Sequence, residues 1–316
     1  MISRRIIRTK ALHILYAHYS SSGRTIQQSE TELNFSIKKT YDLYHLLFDL
    51  LIEISKYAEK IMENRKLKNF PTEEELNPNT RFIENRVVNK LKENENLLKY
   101  LEQNKLSWIN QEEFIRKIYI GLTESEFYQK YMSDTVNDYQ HDKKLCDHFF
   151  GELLLKDDLL FNEMEEQSIY WNDDLDFVIS MVLKTLRKFS NTSDSSQSLL
   201  SLYKDEEDQE FTKNLFRKTI LKHDENRKTI ESYTKNWDVD RVALMDILIM
   251  ELAITELTVF TAIPVKVTLN EYIELSKYYS TERSSNFING VLDRISKDFK
   301  ENGKIVKAGR GLLEGK

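Results

Sequence analysis

Residues that break helices are scarce in this chain. None of its 8 Gly lies between Arg24 and Ile120 or between Glu152 and Asn289, and it contains only 3 Pro. Spans of that length without Gly favour helices over the tight turns of a sheet. No alternation of apolar and polar residues useful for a strand accompanies them. The expected fold class is all-α.

Apolar residues at three- and four-residue intervals place the helices. Ile7, Ala11, Ile14, Leu15 and Tyr19 predict a first helix from about Arg4, ended by "SSGRT". A long helix is expected over Leu33 to Arg65, followed by a loop, "NFPTEEELNPNT". Further helices are expected at Phe82–Gln103, Gln111–Tyr119, Thr123–Phe150, Leu153–Glu166 and Asp173–Phe189. "SNTSDSSQS" (190–198) reads as the clearest linker, because short polar side chains compete for backbone hydrogen bonds. Beyond it, helices are expected near Glu207–Thr234, Val239–Phe260, Thr268–Tyr279 and Ser284–Lys300, then a mobile tail with four Gly.

Charge is unevenly distributed. The net charge is −6, yet Met1 to Ser29 carries +5 with no acidic residue, and Arg294 to Lys316 carries +4. The two ends therefore hold +9, which leaves −15 for the residues between them. Two readings stand side by side: basic ends that meet an anionic partner such as nucleic acid, and a solvated basic terminus. Cys146 is the sole cysteine, so no intrachain disulfide forms. No apolar run reaches the roughly 18 residues of a membrane span, and no signal-peptide pattern is present. A reducing, cytoplasmic setting is expected.

Enzyme machinery is not apparent. The chain lacks a phosphate-binding Gly loop, GxSxG and HExxH. In "HDKKLCDH", His141 and His148 share a helical face while Cys146 sits off it, so a surface helix accounts for the cluster better than a zinc site. Asp157–Asp158 and Asp173–Asp174 suit helix starts. "SIYWNDDL" reads as a helix boundary with packing aromatics.

The last third is more specific. "NWDVDRVALMDILIMELAITEL" is apolar on nearly every face and predicts a central buried helix. Asp246 lies along its stripe and must find a donor or sit at a partner interface. Pro264 stops or redirects the chain, and Thr268 with Glu271 has the spacing of a capping box. In "SSNFINGVLDRI", Phe287, Val291 and Ile295 form an apolar row. Gly290 within it costs the helix ~1 kcal/mol, which suits a close approach by another backbone.

Four segments together resemble the NusB family of bacterial transcription antitermination factors. They are "RRIIRTKALHILY"; Trp237, Asp240–Arg241, Asp246 and Glu256–Leu257; "IPVKVTLNEYIELSKYY"; and "FINGVLD". The resemblance covers residues 1–20 and about 207–299. It implies a NusB-like pair of small helical bundles, no catalysis and no cofactor. It implies binding of a single-stranded boxA-like RNA in ribosomal RNA leader transcripts. It also implies partnership with ribosomal protein NusE inside an RNA polymerase antitermination complex.

Carried over motif by motif, the resemblance assigns RNA binding to Arg4, Arg5, Arg8 and Tyr16, and to Lys266, Tyr279 and Phe287. Asn286 stands where many members have Lys, with Arg283 as a nearby substitute cation. Asp246 matches an acidic position on the partner-binding side. On a helical wheel Arg4, Arg8, Arg5 and Tyr16 fall within about a third of a turn. Arg4 and Arg8 also overlap the apolar face, so an alternative is that they cap the bundle and pair with the acidic insertion.

Length is the main departure from the family, since typical members are about half this size. The expected organisation is 1–29 as the first helix of the NusB-like core, 30–205 as a helical insertion, 206–300 as the rest of the core and 301–316 as a flexible basic tail. Two alternatives remain: a helical adaptor whose acidic insertion is the working surface, and an RNA-modifying enzyme. The second needs a βαβ unit with a Gly-rich turn, which the sequence lacks.

Overall fold

The computed structural model describes residues 1–156, 158–234 and 242–312. Trp237, Asp240 and Arg241, which contribute to the resemblance, lie outside the described residues, as do Asp157 and the last four residues. The fold is all-α. In chain order the helices are α1 (Arg4–Ser20), α2 (Ile26–Lys66), α3 (Glu73–Leu76), α4 (Arg86–Lys92), α5 (Glu95–Asn104), α6 (Glu112–Glu124), α7 (Glu126–Ser133) and α8 (Tyr139–His148). They continue with α9 (Asp158–Gln167), α10 (Leu175–Lys188), α11 (Glu206–Leu221), α12 (His223–Tyr233), α13 (Leu244–Val259), α14 (Val265–Tyr279) and α15 (Glu282–Glu301). Among the described residues, no helix is long and apolar enough to cross a membrane.

Helix ends follow local capping chemistry more closely than apolar periodicity. α2 starts at Ile26, ahead of the expected Leu33, because Thr25 and Gln28 form a reciprocal cap: Gln28 N donates to Thr25 Oγ1 at 3.2 Å and Thr25 N to Gln28 Oε1 at 2.9 Å. The helix expected over 82–103 divides in two. Asn85 Oδ1 accepts from Val87 N and Val88 N at 3.0 and 3.1 Å, and Asn94 Oδ1 accepts from Leu97 N at 2.9 Å. Ser125 and Asp138 divide the next expected helix in the same way, capping α7 and α8. A π-turn at Phe149–Leu153 then extends α8.

Two compact units emerge, and α2 contributes to both. The middle unit comprises residues 38–202 with Met1; the terminal unit comprises 2–37 and the residues from 203 onward. The core of the middle unit is built on the second part of α2, with Leu43, Leu47, Phe48 and Leu51 packed among Phe82, Trp108 and Phe150. Two buried indoles anchor that helix: Trp108 Nε1 donates to Leu46 O and Trp171 Nε1 to Lys39 O, each at 2.7 Å. Asp174 stands at the N-cap of α10, at the helix start as expected, and its carboxylate accepts from Thr40 Oγ1 at 2.6 Å.

Residues 190–198 are not a free linker. Glu95 N donates to Ser195 O and Asn94 Nδ2 to Gln197 O, both at 2.9 Å, so the segment straps the start of α5. Its short polar residues avoid helix as anticipated, but their backbone carbonyls are used by the neighbouring cap.

The terminal unit is organised around α13, which packs against α1, α11, α12, α14 and α15. Every residue from Asp246 to Leu257 is buried. On α15 the buried row is Ile288, Val291, Leu292, Ile295 and Phe299, whereas Phe287 is only half-buried at its edge. α15 ends in a Schellman motif: Gly303 has φ of 67°, its N–H donates to Lys300 O at 3.2 Å, and Lys304 N donates to Phe299 O at 2.8 Å. The chain then returns along the loop after α13, with Ile305 buried and Ala308 N bonded to Thr261 O at 3.0 Å. This part of the expected tail is therefore packed.

Candidate nucleic-acid interface

Ser3 caps α1, accepting from Ile6 N at 3.4 Å, so the helix starts immediately before the paired arginines. Four residues separate Arg4 from Arg8, which puts them on one ridge, while Arg5 points about a quarter turn away. That difference decides their environments. Arg8 turns into the core and is 4% exposed. Arg4, at 31%, leans over Phe211 of α11, and Arg5, at 58%, reaches toward α14.

Arg8 meets a carboxylate carried by the most apolar helix of the chain. Its Nε and Nη2 donate to Glu256 Oε2 and Oε1 at 2.8 and 2.7 Å, a bidentate fork. Glu256 is fully buried and also accepts from Thr268 Oγ1 at 2.9 Å and Tyr272 OH at 3.0 Å. Four donors therefore surround the carboxylate, as a buried charge requires. Burial works against the charge on Arg8, but Glu256 more than offsets it and the guanidinium pKa is raised. Burial and the adjacent carboxylate together push the Tyr272 phenol well above its ordinary value. The guanidinium lies between the Phe211 ring at 5.3 Å and the Tyr272 ring at 5.9 Å, tying α11, α1 and α14 together.

This network corrects the capping-box expectation. α14 begins at Val265 behind Pro264, so Thr268 and Glu271 lie inside the helix. Thr268 donates to Glu256, and Glu271 accepts from Arg5 Nε at 3.1 Å. Sequence reasoning gave no role to Glu256, Tyr272 or Asp208. A usable signal was present: two acids, Glu251 and Glu256, within "LIMELAITEL", a helix with no polar face to expose them.

α1 and α14 run side by side in the same direction. Arg5 pairs with Glu271, and eight residues further along both helices His13 meets Tyr279 edge-on at 4.8 Å. Beyond them Tyr16 is 43% exposed. Thr281, the cap of α15, follows Tyr279 within two residues. Arg283 and Asn286 are exposed on α15 and Phe287 is half-buried. Arg5, Tyr16, Tyr279, Arg283, Asn286 and Phe287 thus come from three adjacent helix segments, and exposed Lys266 occupies the first turn of α14. Arg8 is held apart from this surface. Asp246 is buried and accepts from Ser280 at the end of α14, so it finds its donor within the chain.

Gly290 does not serve the close approach expected of it. A Cβ built there meets nothing within 4 Å. In the middle unit, Cys146 is buried, whereas His141 and His148 line a cleft of about 500 Å³ beside α7 and α8. Their Nδ1 atoms are bound to Asp138 at 2.8 Å and Glu152 at 2.6 Å. Cations Lys130 and Lys144 face acids Glu126 and Asp134 in the same cleft, so no charge of one sign dominates it.

A model of the NusB family matches residues 179–297. A transcription antitermination protein NusB from Salinibacter ruber is 38% identical over 138 residues, which is 42% of this chain and 86% of that relative. The chain belongs to the NusB family. Transcription antitermination proteins NusB from Chloroherpeton thalassium and Natranaerobius thermophilus are 41% and 43% identical over 85 and 67 residues. Those matches cover 27% and 21% of this chain, and 40% and 48% of the relatives. No solved structure matches the chain. The NusB match takes in α11 to α14, most of α15 and the later part of α10.

Proposed function

We propose that this NusB-family chain is an RNA-binding transcription antitermination factor. It acts on boxA-like elements of ribosomal RNA leader transcripts, together with ribosomal protein NusE and RNA polymerase. The role is one of binding, without catalysis or cofactor. The observation that carries the reading is the surface on which Arg5, Tyr16, Tyr279 and the start of α15 adjoin, in a chain 38% identical to a NusB protein over most of that protein's length. Single-stranded RNA calls for cations against phosphate and flat rings against bases. Arg4, Arg5, Lys266 and Arg283 supply the first, and Tyr16, Tyr279 and Phe287 the second, with Asn286 as a polar contact. Arg8 supports them from beneath, holding α1 against α14 through Glu256. Asp246 serves the NusE side indirectly, by holding the turn between α14 and α15.

Residues 30–205 form a helical insertion in this reading. A second role for it, protein docking, is favoured by one observation. Between Lys38 and Leu202 the chain carries 30 acidic and 22 basic residues, and Phe70 stands 93% exposed among them. Isolated exposed apolar side chains are ordinary, but one this exposed within an acidic region suits a contact point.

The test is a titration of the full chain with boxA-like RNA and a scrambled control, with and without NusE. Tighter binding of the boxA-like RNA supports the reading. Equal affinity for both RNAs under both conditions removes it. Pull-down with the full chain that recovers partners only when Phe70 is intact supports the docking role.

A further inference from the structure

No acidic residue lies in the first turn of α1, yet each arginine there has a carboxylate against it. These carboxylates come from residues distant in sequence. Arg4 Nε donates to Asp208 Oδ1 at 2.7 Å, with Glu207 Oε2 3.5 Å from its Nη2. Arg5 donates to both oxygens of Glu271, at 3.1 and 3.4 Å. Arg8 is buried with Glu256. The basic cluster that distinguishes the N-terminus in sequence is therefore neutralised in the folded chain. A phosphate arriving at Arg5 must displace or share a carboxylate instead of meeting a bare cation.

We infer that Glu271 is an affinity-setting residue of the RNA face: by occupying Arg5 it suppresses sequence-independent attraction to phosphate. The inference rests on the RNA-binding reading above. Its physical basis is that non-specific binding is almost wholly counterion release at phosphate contacts. An arginine already paired with a carboxylate gains little by exchanging it for phosphate, because one ion pair is traded for another. Contacts to bases, made by rings and amides, are untouched by the exchange. The phosphate contribution is common to every RNA, so the pair lowers specific and non-specific affinity together and leaves the ratio between them to the base contacts. Glu271 is positioned for this, since the pair it forms with Arg5 is partly exposed and can open without disturbing the core. Arg4 differs: its hydrogen-bonded partner is Asp208 at 2.7 Å, and exposed Glu207 stands farther off, at 3.5 Å.

The test uses the full chain as wild type, Glu271→Gln and, as a control in which Asp208 still holds Arg4, Glu207→Gln. Glutamine keeps the shape and a hydrogen-bond acceptor but removes the charge. Each is titrated with boxA-like and scrambled RNA over a range of salt concentrations. The expected result for Glu271→Gln, which releases Arg5, is a slope of log K against log salt steeper by roughly 0.7, with the slope of Glu207→Gln unchanged. Both RNAs should bind Glu271→Gln roughly fivefold more tightly at low salt, with the preference for boxA-like RNA unchanged. Glu271 also approaches Arg8 at 3.6 Å, so melting of that variant is followed alongside. Arg5→Met carries the test if Glu271→Gln is unstable: an arginine occupied by Glu271 adds little to the wild-type slope, and a slope shallower by roughly 0.7 in that variant overturns the inference. Wild type that binds RNA, with slope and RNA affinity unchanged in Glu271→Gln, overturns the inference. Absence of RNA binding by wild type and variants alike overturns the RNA-binding reading, and the inference with it.

Discussion

Replacing Arg8 separates a buried structural arginine from the exposed Arg5 on the same helix. In Arg8→Met the Glu256 carboxylate loses the fork at 2.7 and 2.8 Å and keeps two neutral donors, Thr268 and Tyr272. Glu256 has no exposed surface, so water cannot replace the lost guanidinium. Breaking a buried pair by removing one partner costs about 3–5 kcal/mol, a large share of the ~5–15 kcal/mol that holds a typical domain. Arg5→Met removes a pair whose arginine is 58% exposed, and the expected loss is under about 1 kcal/mol. Urea unfolding of the full chain, followed by circular dichroism, measures both. The double variant Arg8→Met with Glu256→Gln removes the lone charge and leaves an acceptor for Thr268 and Tyr272. It should be more stable than Arg8→Met alone. A loss below about 1 kcal/mol for Arg8→Met, or a double variant whose losses simply add, would show that the pair does not hold α1 in place.

Three further outcomes follow from the geometry. Gly290→Ala places its methyl in open space, so the gain of helix propensity, about 1 kcal/mol, should appear as a raised melting temperature; a lowered one contradicts the open surface. Asn85→Ala removes the cap of α4 and a buried donor to Asp142 O at 3.1 Å, and should destabilise the middle unit by about 2 kcal/mol in thermal unfolding. His223 binds the buried Glu251 at 3.0 Å, with Tyr19 stacked on its ring and Asp224 and Arg227 nearby. Its pKa is raised, chiefly by the hydrogen bond to Glu251, while burial raises that of Glu251. A folded-state pKa above the unfolded one means the folded chain holds the proton more tightly. The His223 contribution is thus complete below about 6.5, the ordinary histidine value, and is lost as pH rises through the raised one. His223→Gln should unfold with a smaller loss of stability than wild type between those limits, and equal pH profiles would refute the pairing.

Much of the fold was legible because a single signal, the spacing of apolar residues, governs most of it. The central helix with Leu248, Ile249 and Leu252 buried, and the α15 row at Val291 and Ile295, follow from periodicity alone. Helix boundaries were less legible, since they are set by single polar side chains such as Asn85, Asn94 and Thr25 whose role depends on the direction they turn. The same limit applies to the site. A wheel places Arg4, Arg5 and Arg8 within a third of a turn, but exposure is decided by what stands opposite, and Glu256, Asp208 and Glu271 lie more than 200 residues away in the chain. A cluster of cations in sequence is therefore not yet a positive surface. Here Asp208 of α11, Glu256 of α13 and Glu271 of α14 neutralise it, one carboxylate against each arginine.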